Sequence, residues 1–102
     1  MTSSLQNSDD AAKAVQKTPN RVSLEDLQNS IDGVEYIHPQ LAPIMTIAVV
    51  SMKNGYVVVG KSAPADPDNF NAELGKKFAL EDAQRQMWPL LGYALRDKLH
   101  NT

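Results

Sequence analysis

IMTIAVVSMKNGYVVVGK, residues 44–61, decides the fold. Two runs rich in β-branched residues, Ile44–Met52 and Tyr56–Lys61, flank Lys53-Asn54-Gly55. Branched side chains are stiff at χ1 and pack well on a pleated surface, so both runs read as strands. Asn-Gly between them predicts a type I′ hairpin, because both residues tolerate positive φ. The first run is nearly continuous in apolar residues rather than alternating. That is the pattern of a central strand covered on both faces.

Upstream, Val34–Ile37 predicts a third short strand ended by His38-Pro39, and residues 39–43, PQLAP, form a proline-bounded loop. Residues 21–31 predict a short helix: Ser23 as N-cap, Asp26 at the third helical position as in a capping box, and Gly33 as the stop. Leu24, Leu27 and Ile31 recur at three and four along it. Downstream, Pro64 and Pro67 fix a loop over 62–67. A helix follows from about Asp68, with Asp66 or Asp68 as cap, to Met87. Phe70, Leu74 and Phe78, then Ala79, Ala83 and Met87, wind along it at steps of four. Trp88-Pro89 predicts a break, since proline disfavours helix in the residue before it, and a second helix over 89–99. Gly75 and Gly92 in these helices predict close packing, within the chain or between subunits.

The first twenty residues are polar, with few large aliphatics, and predict a flexible tail on a single domain over 21–100. A short helix within them would be marginal by itself. The expected class is therefore α+β: a three-stranded antiparallel meander packed against two C-terminal helices, a short N-terminal helix and a disordered N-terminal tail. A domain of about 80 residues buries only roughly 60–65% of its unfolded surface, so self-association is a natural source of extra stability.

Composition narrows the function. Ten basic and twelve acidic residues give a net charge of −2, which argues against a general binder of long nucleic acids or membrane surfaces. No apolar run approaches the roughly 20 residues of a membrane span, and the N-terminus does not read as a signal peptide. There is no cysteine, hence no disulfide framework or thiol chemistry. His38 and His100, the two histidines, have no partner at metal-ligand spacing. Gly60-Lys61-Ser62 imitates the end of a P-loop without its upstream glycine or its helix. Glu81 and Arg85 read as an exposed i,i+4 ion pair rather than as catalytic machinery. The reading is of a protein that is not an enzyme, with no cofactor and no metal.

In order along the chain stand VSLEDLQNSI, VEYI, and MTIAVVSMKNGYVVVGKSAPADPDNFNAELGKKFALEDAQRQMWPLLGYALRDKL. This series resembles a family of small bacteriophage and prophage proteins. Its marks are K-N-G-aromatic, a V-x-G-x-S strand end, N-F-[DN]-x-E-[IL]-G, an alanine-rich helix and [IM]-W-P-L-x-G-Y-x-L, covering Val22 to Leu99. The family resembles the first Thoeris anti-defence proteins. The resemblance implies a sponge in the host bacterial cytoplasm. It would sequester cyclic ADP-ribose isomers, or cyclic oligonucleotides of the CBASS defence, without cleaving them. It also implies homo-oligomers of up to six copies, with ligand held beside the hairpin and helices by aromatic stacking and arginine contacts. Phe70 and Arg96 match the phenylalanine and an arginine of that pattern. Asp82 departs from it, standing where asparagine is frequent, and an acid there would repel a phosphodiester. The alternative is an interaction module that binds a host or phage protein.

Several residues have two readings. Phe70 is a core residue or a stacking platform; Trp88 is a wedge between helices or a stacking surface. Tyr56 anchors the hairpin or presents its ring. Arg85 and Arg96 are surface cations or forks for a diphosphate. Lys61, at the strand end, is a solvated cation or a phosphate contact beside a helix start.

Overall fold

The computed structural model describes residues 4–101. The elements are α1 (Ser4–Ala14), α2 (Leu24–Asn29), β1 (Ile31–Ile37), β2 (Thr46–Met52), β3 (Val57–Ser62), a 3₁₀ turn (Pro67–Asn69) and α3 (Ala72–His100). The strands form one antiparallel sheet in the order β1-β2-β3, with Val49 opposite both Glu35 and Val59. The α+β class and the three-stranded meander are as the sequence indicates.

The hairpin turn differs from expectation. Among the described residues only Gly55 has a positive φ, +88°, so Asn54 is not in the left-handed region that a type I′ turn requires. Gly55 N–H donates to Met52 O at 2.8 Å, and Met52 N–H donates to Tyr56 O at 2.8 Å. This closes a three-residue loop ending in a left-handed glycine, the next most common hairpin connection. The Asn54 side-chain oxygen accepts the Tyr56 N–H at 3.0 Å and holds the turn.

α2 carries the expected capping box: Ser23 Oγ accepts from Asp26 N–H, and Asp26 Oδ2 accepts from Ser23 N–H, both at 3.0 Å. It ends at Asn29, before the Ile31 and Gly33 positions expected to carry and stop it. Ile31 instead opens β1 opposite Met52, and the register shifts between Ile31 and Gly33. Sheet pairing wins because Ser30 O accepts the Lys53 N–H at 2.9 Å, locking this corner to the hairpin.

The two C-terminal helices expected are one. α3 runs unbroken through Pro89, a length of about 43 Å against about 23 Å for a seven-residue strand. Proline there removes one bond to the Arg85 carbonyl, but Arg85 and Pro89 are both exposed, away from the side of the helix that meets the core. Met87 and Leu91, on either side, pack against the core and hold the helix straight through. The start of α3 also shifts. Asp66 caps the 3₁₀ turn through Asp68 N–H at 3.0 Å, and Asn71 caps α3 through Leu74 N–H at 3.0 Å.

One side of the sheet is covered. Thr46, Ala48, Val50 and Met52 alternate as buried residues along β2, and the last three cluster with Leu27 of α2 and Ala79, Ala83 and Met87 of α3. Phe70, Leu74 and Phe78, the other stripe at steps of four, remain largely exposed. Small residues face the sheet because Gly60 brings β3 very close to α3. A Cβ at position 60 would stand 2.1 Å from Ala79 O and 2.5 Å from Ala83 N.

Residues 4–14, within the expected tail, form α1; residues 1–3 lie outside the described residues. Leu5 is buried, and Asp9 Oδ1 accepts from both Arg21 Nη1 (2.7 Å) and the Leu24 N–H (3.0 Å). Asp9 thus serves as a second cap on α2, supplied by another helix. A helix too short to persist alone is held here by tertiary contacts. The Arg21 guanidinium, assisted by the Leu24 N–H, holds the Asp9 carboxyl below its ordinary value of 3.8. A carboxyl lowered in the folded state contributes stability that is complete above the unfolded value and fades as pH falls through the folded one. As pH falls below about 4, therefore, the Asp9 ties of α1 to Arg21 and α2 weaken. The single tryptophan reports it, since Trp88 Nε1–H donates to Val22 O at 2.9 Å beside Arg21. Asp9→Asn is expected to remove most of this acid transition in Trp88 fluorescence. An unchanged profile would assign the transition to another carboxyl.

Candidate functional site

The sequence before α3 builds a cleft. The 3₁₀ turn sets Asn69 and Phe70, Asn71 caps the helix, and Leu74, Gly75 and Phe78 follow on its first turns. With Ser62 at the end of β3, and Ile44, Ala63 and Pro64 from the adjoining loops, they line a space of about 220 Å³. Phe70 is 37% and Phe78 48% exposed, so both rings present surface to it. His38 meets Phe70 edge-to-face with ring centroids 6.1 Å apart. Its Nδ1 lies 3.1 Å from Met45 O, and because a carbonyl only accepts, that nitrogen carries the proton.

Gly75 lets the helix approach the sheet here. A Cβ would stand 2.6 Å from Thr46 Oγ1, a hydroxyl that is fully buried and without a hydrogen-bond partner. Gly92 is not closely packed within the chain: a Cβ there meets nothing within 4 Å outside its own helix backbone.

The cleft's polar groups are neutral. The Asn71 side-chain oxygen is used in capping, which leaves its NH₂ to donate, while Asn69 and Ser62 offer both donors and acceptors. No charged side chain lines it. Asp66 and Asp68 are not among its lining residues. Such a site can stack a flat ring and read its edge. Among the described residues, no group of three or more His, Cys, Asp or Glu could hold a metal.

Of the residues singled out in the sequence, only Phe70 lines this cleft. Lys61 lies opposite Ile47 and shares its face of the sheet, the uncovered one, while its N–H donates to Asp82 Oδ2 at 3.0 Å. Asp82 is therefore a clasp. With Gln86 Nε2, which donates to Val59 O at 2.8 Å, it ties α3 to the outer edge of β3. Arg85 Nη2 donates to Ser4 Oγ and lies 3.6 Å from Glu81, joining α3 to α1. Trp88 is wedged against Val22, beside a shallow groove with Arg21, Gly92 and Leu95. Tyr56 stands at the hairpin end, near Leu90 and Leu91, and Arg96 is exposed near the end of α3. Phe78, Asn69 and Asn71 were missed as site residues. The step of four from Phe70 to Phe78 was the available signal, but it reads equally as a core stripe.

No helix among the described residues is long and apolar enough to cross a membrane. No curated protein and no solved structure matches this chain. A family model does, over residues 22–99, from the residue before α2's cap to the last turn of α3. The chain belongs to the phage protein (N4 Gp49/phage Sf6 gene 66) family.

Proposed function

We propose that this protein sequesters cyclic nucleotide immune signals, cyclic ADP-ribose isomers or cyclic oligonucleotides, without turnover, in counter-defence against the phage's host. The observation that carries the reading is the pair of half-exposed rings, Phe70 and Phe78, beside the amides of Asn69 and Asn71. A purine offers a flat apolar face to such rings and donors and acceptors to such amides. Stacking on an aromatic side chain is worth about 1–3 kcal/mol per base. The ordered motif from K-N-G-aromatic to W-P-L-x-G-Y, and membership of a phage family, support the biological setting.

The cleft is smaller than the roughly 300–1,000 Å³ pockets that enclose a whole small molecule. It takes a base and leaves the phosphates outside its neutral walls. A thermal-shift screen of the purified chain against cyclic ADP-ribose isomers and cyclic di- and trinucleotides tests this. Binding at or below micromolar, about −8 kcal/mol, with intact ligand released on heating, is expected. Weaker binding across the panel, or recovery of cleaved ligand, overturns the reading. Stoichiometric capture of a protein partner with no ligand shift would favour the interaction-module alternative.

A further inference from the structure

β2 has the continuous apolar sequence of a strand covered on both faces, yet α2 and α3 both lie on one face. Cross-strand partners share a face, so the uncovered side is read from the register. Its rows are Ile37-Ile47-Lys61, Glu35-Val49-Val59 and Gly33-Ser51-Val57. Five of these nine residues are Val or Ile, and Val57 and Val59 are 52% and 49% exposed. An antiparallel sheet that faces water ordinarily carries polar residues on that side. The two charges on this face, Glu35 and Lys61, lie on opposite edge strands.

We propose that a second copy of this chain covers this face, sheet against sheet, about a two-fold axis parallel to the strands. The arrangement of charge selects both occupant and axis. Such a rotation lays β1 of each copy over the partner's β3. Glu35 then lies on the same edge as the partner's Lys61, one cross-strand row, about 7 Å, along the strands. The pairing occurs twice, once at each edge, with the Val and Ile rows between. A two-fold axis perpendicular to the strands lays β1 over β1 and β3 over β3, setting like charges together. Aligned packing of two twisted sheets is a standard way to close such a face. The surface is distinct from the aromatic cleft, so the proposal stands apart from the ligand reading.

Native mass and light scattering of the full chain at tens of micromolar test it. A dimer, or a larger assembly containing that dimer, is expected. Val59→Glu, on a half-exposed outward position, is expected to halve the mass with an unchanged far-ultraviolet spectrum. Lys61→Glu is expected to weaken association by about tenfold or more, and Glu35→Lys added to it to restore association. The charge swap keeps the test decisive even if Val59→Glu fails to fold. A wild-type monomer, an assembly unaffected by Val59→Glu, or no rescue by the double swap overturns the proposal.

Discussion

Gly60→Ala is expected to destabilise this protein by about 3 kcal/mol or more, the upper end for overpacking a close contact. The added methyl would stand 2.1 Å from Ala79 O and 2.5 Å from Ala83 N, atoms of the helix backbone that cannot rotate aside. Either α3 lifts from β3 or the strand bends. Both open the core at Ala79, Ala83 and Met87 and strain the Asp82 and Gln86 bonds to the strand edge. For a domain of this size the loss corresponds to a fall in Tm of roughly 12–24 °C. Gly92→Ala is the matched control. A methyl there meets nothing within 4 Å beyond its chain neighbours and its own helix backbone, so replacing a helical glycine should stabilise by up to about 1 kcal/mol. Urea or thermal unfolding of the two variants checks both signs. A mild effect at Gly60 would mean the helix does not sit this close.

Phe70→Ala and Phe78→Ala are expected to weaken ligand binding by about 1–3 kcal/mol each, roughly 5- to 150-fold in Kd. Neither ring belongs to the buried core, so Tm without ligand should fall much less than in Gly60→Ala. Phe70 should also be the more costly of the two for folding, because its ring, unlike that of Phe78, makes an edge-to-face contact with His38. Titration calorimetry with whichever cyclic nucleotide shifts the wild-type Tm gives the affinities. Arg96→Ala and Trp88→Phe serve as comparisons, since neither residue lines the cleft. If those variants lose binding while the phenylalanine variants keep it, the ligand lies elsewhere on α3.

Much of the fold was legible because it is locally encoded. β-Branched runs around Asn54-Gly55 specify a hairpin whatever surrounds them. The capping box of Ser23 and Asp26 needs only four consecutive residues. The site was legible at Phe70 alone. Its remaining members come from the loops around Ile44 and Ser62 and from the helix face at Phe78, and no spacing in the chain announces that they meet. The Trp88-Pro89 break was misread because a local steric preference yields to packing of Met87 and Leu91 on either side.

The sequence by itself determined the strands, the short capped helix, the order of the elements and the absence of cysteine and of a strong net charge, all properties of neighbouring residues or of composition. Only the tertiary structure decided which of two apolar stripes on α3 turns inward. Both have the helical period, but only the alanine stripe is small enough to lie against Gly60, so the phenylalanines are left facing outward. It also decided that residues 4–14 are helical, because Asp9 bonds Arg21 and the start of α2, Ser4 accepts from Arg85 of α3, and Leu5 is buried. Fit between surfaces distant in sequence is a property of the packed chain, and no local reading contains it.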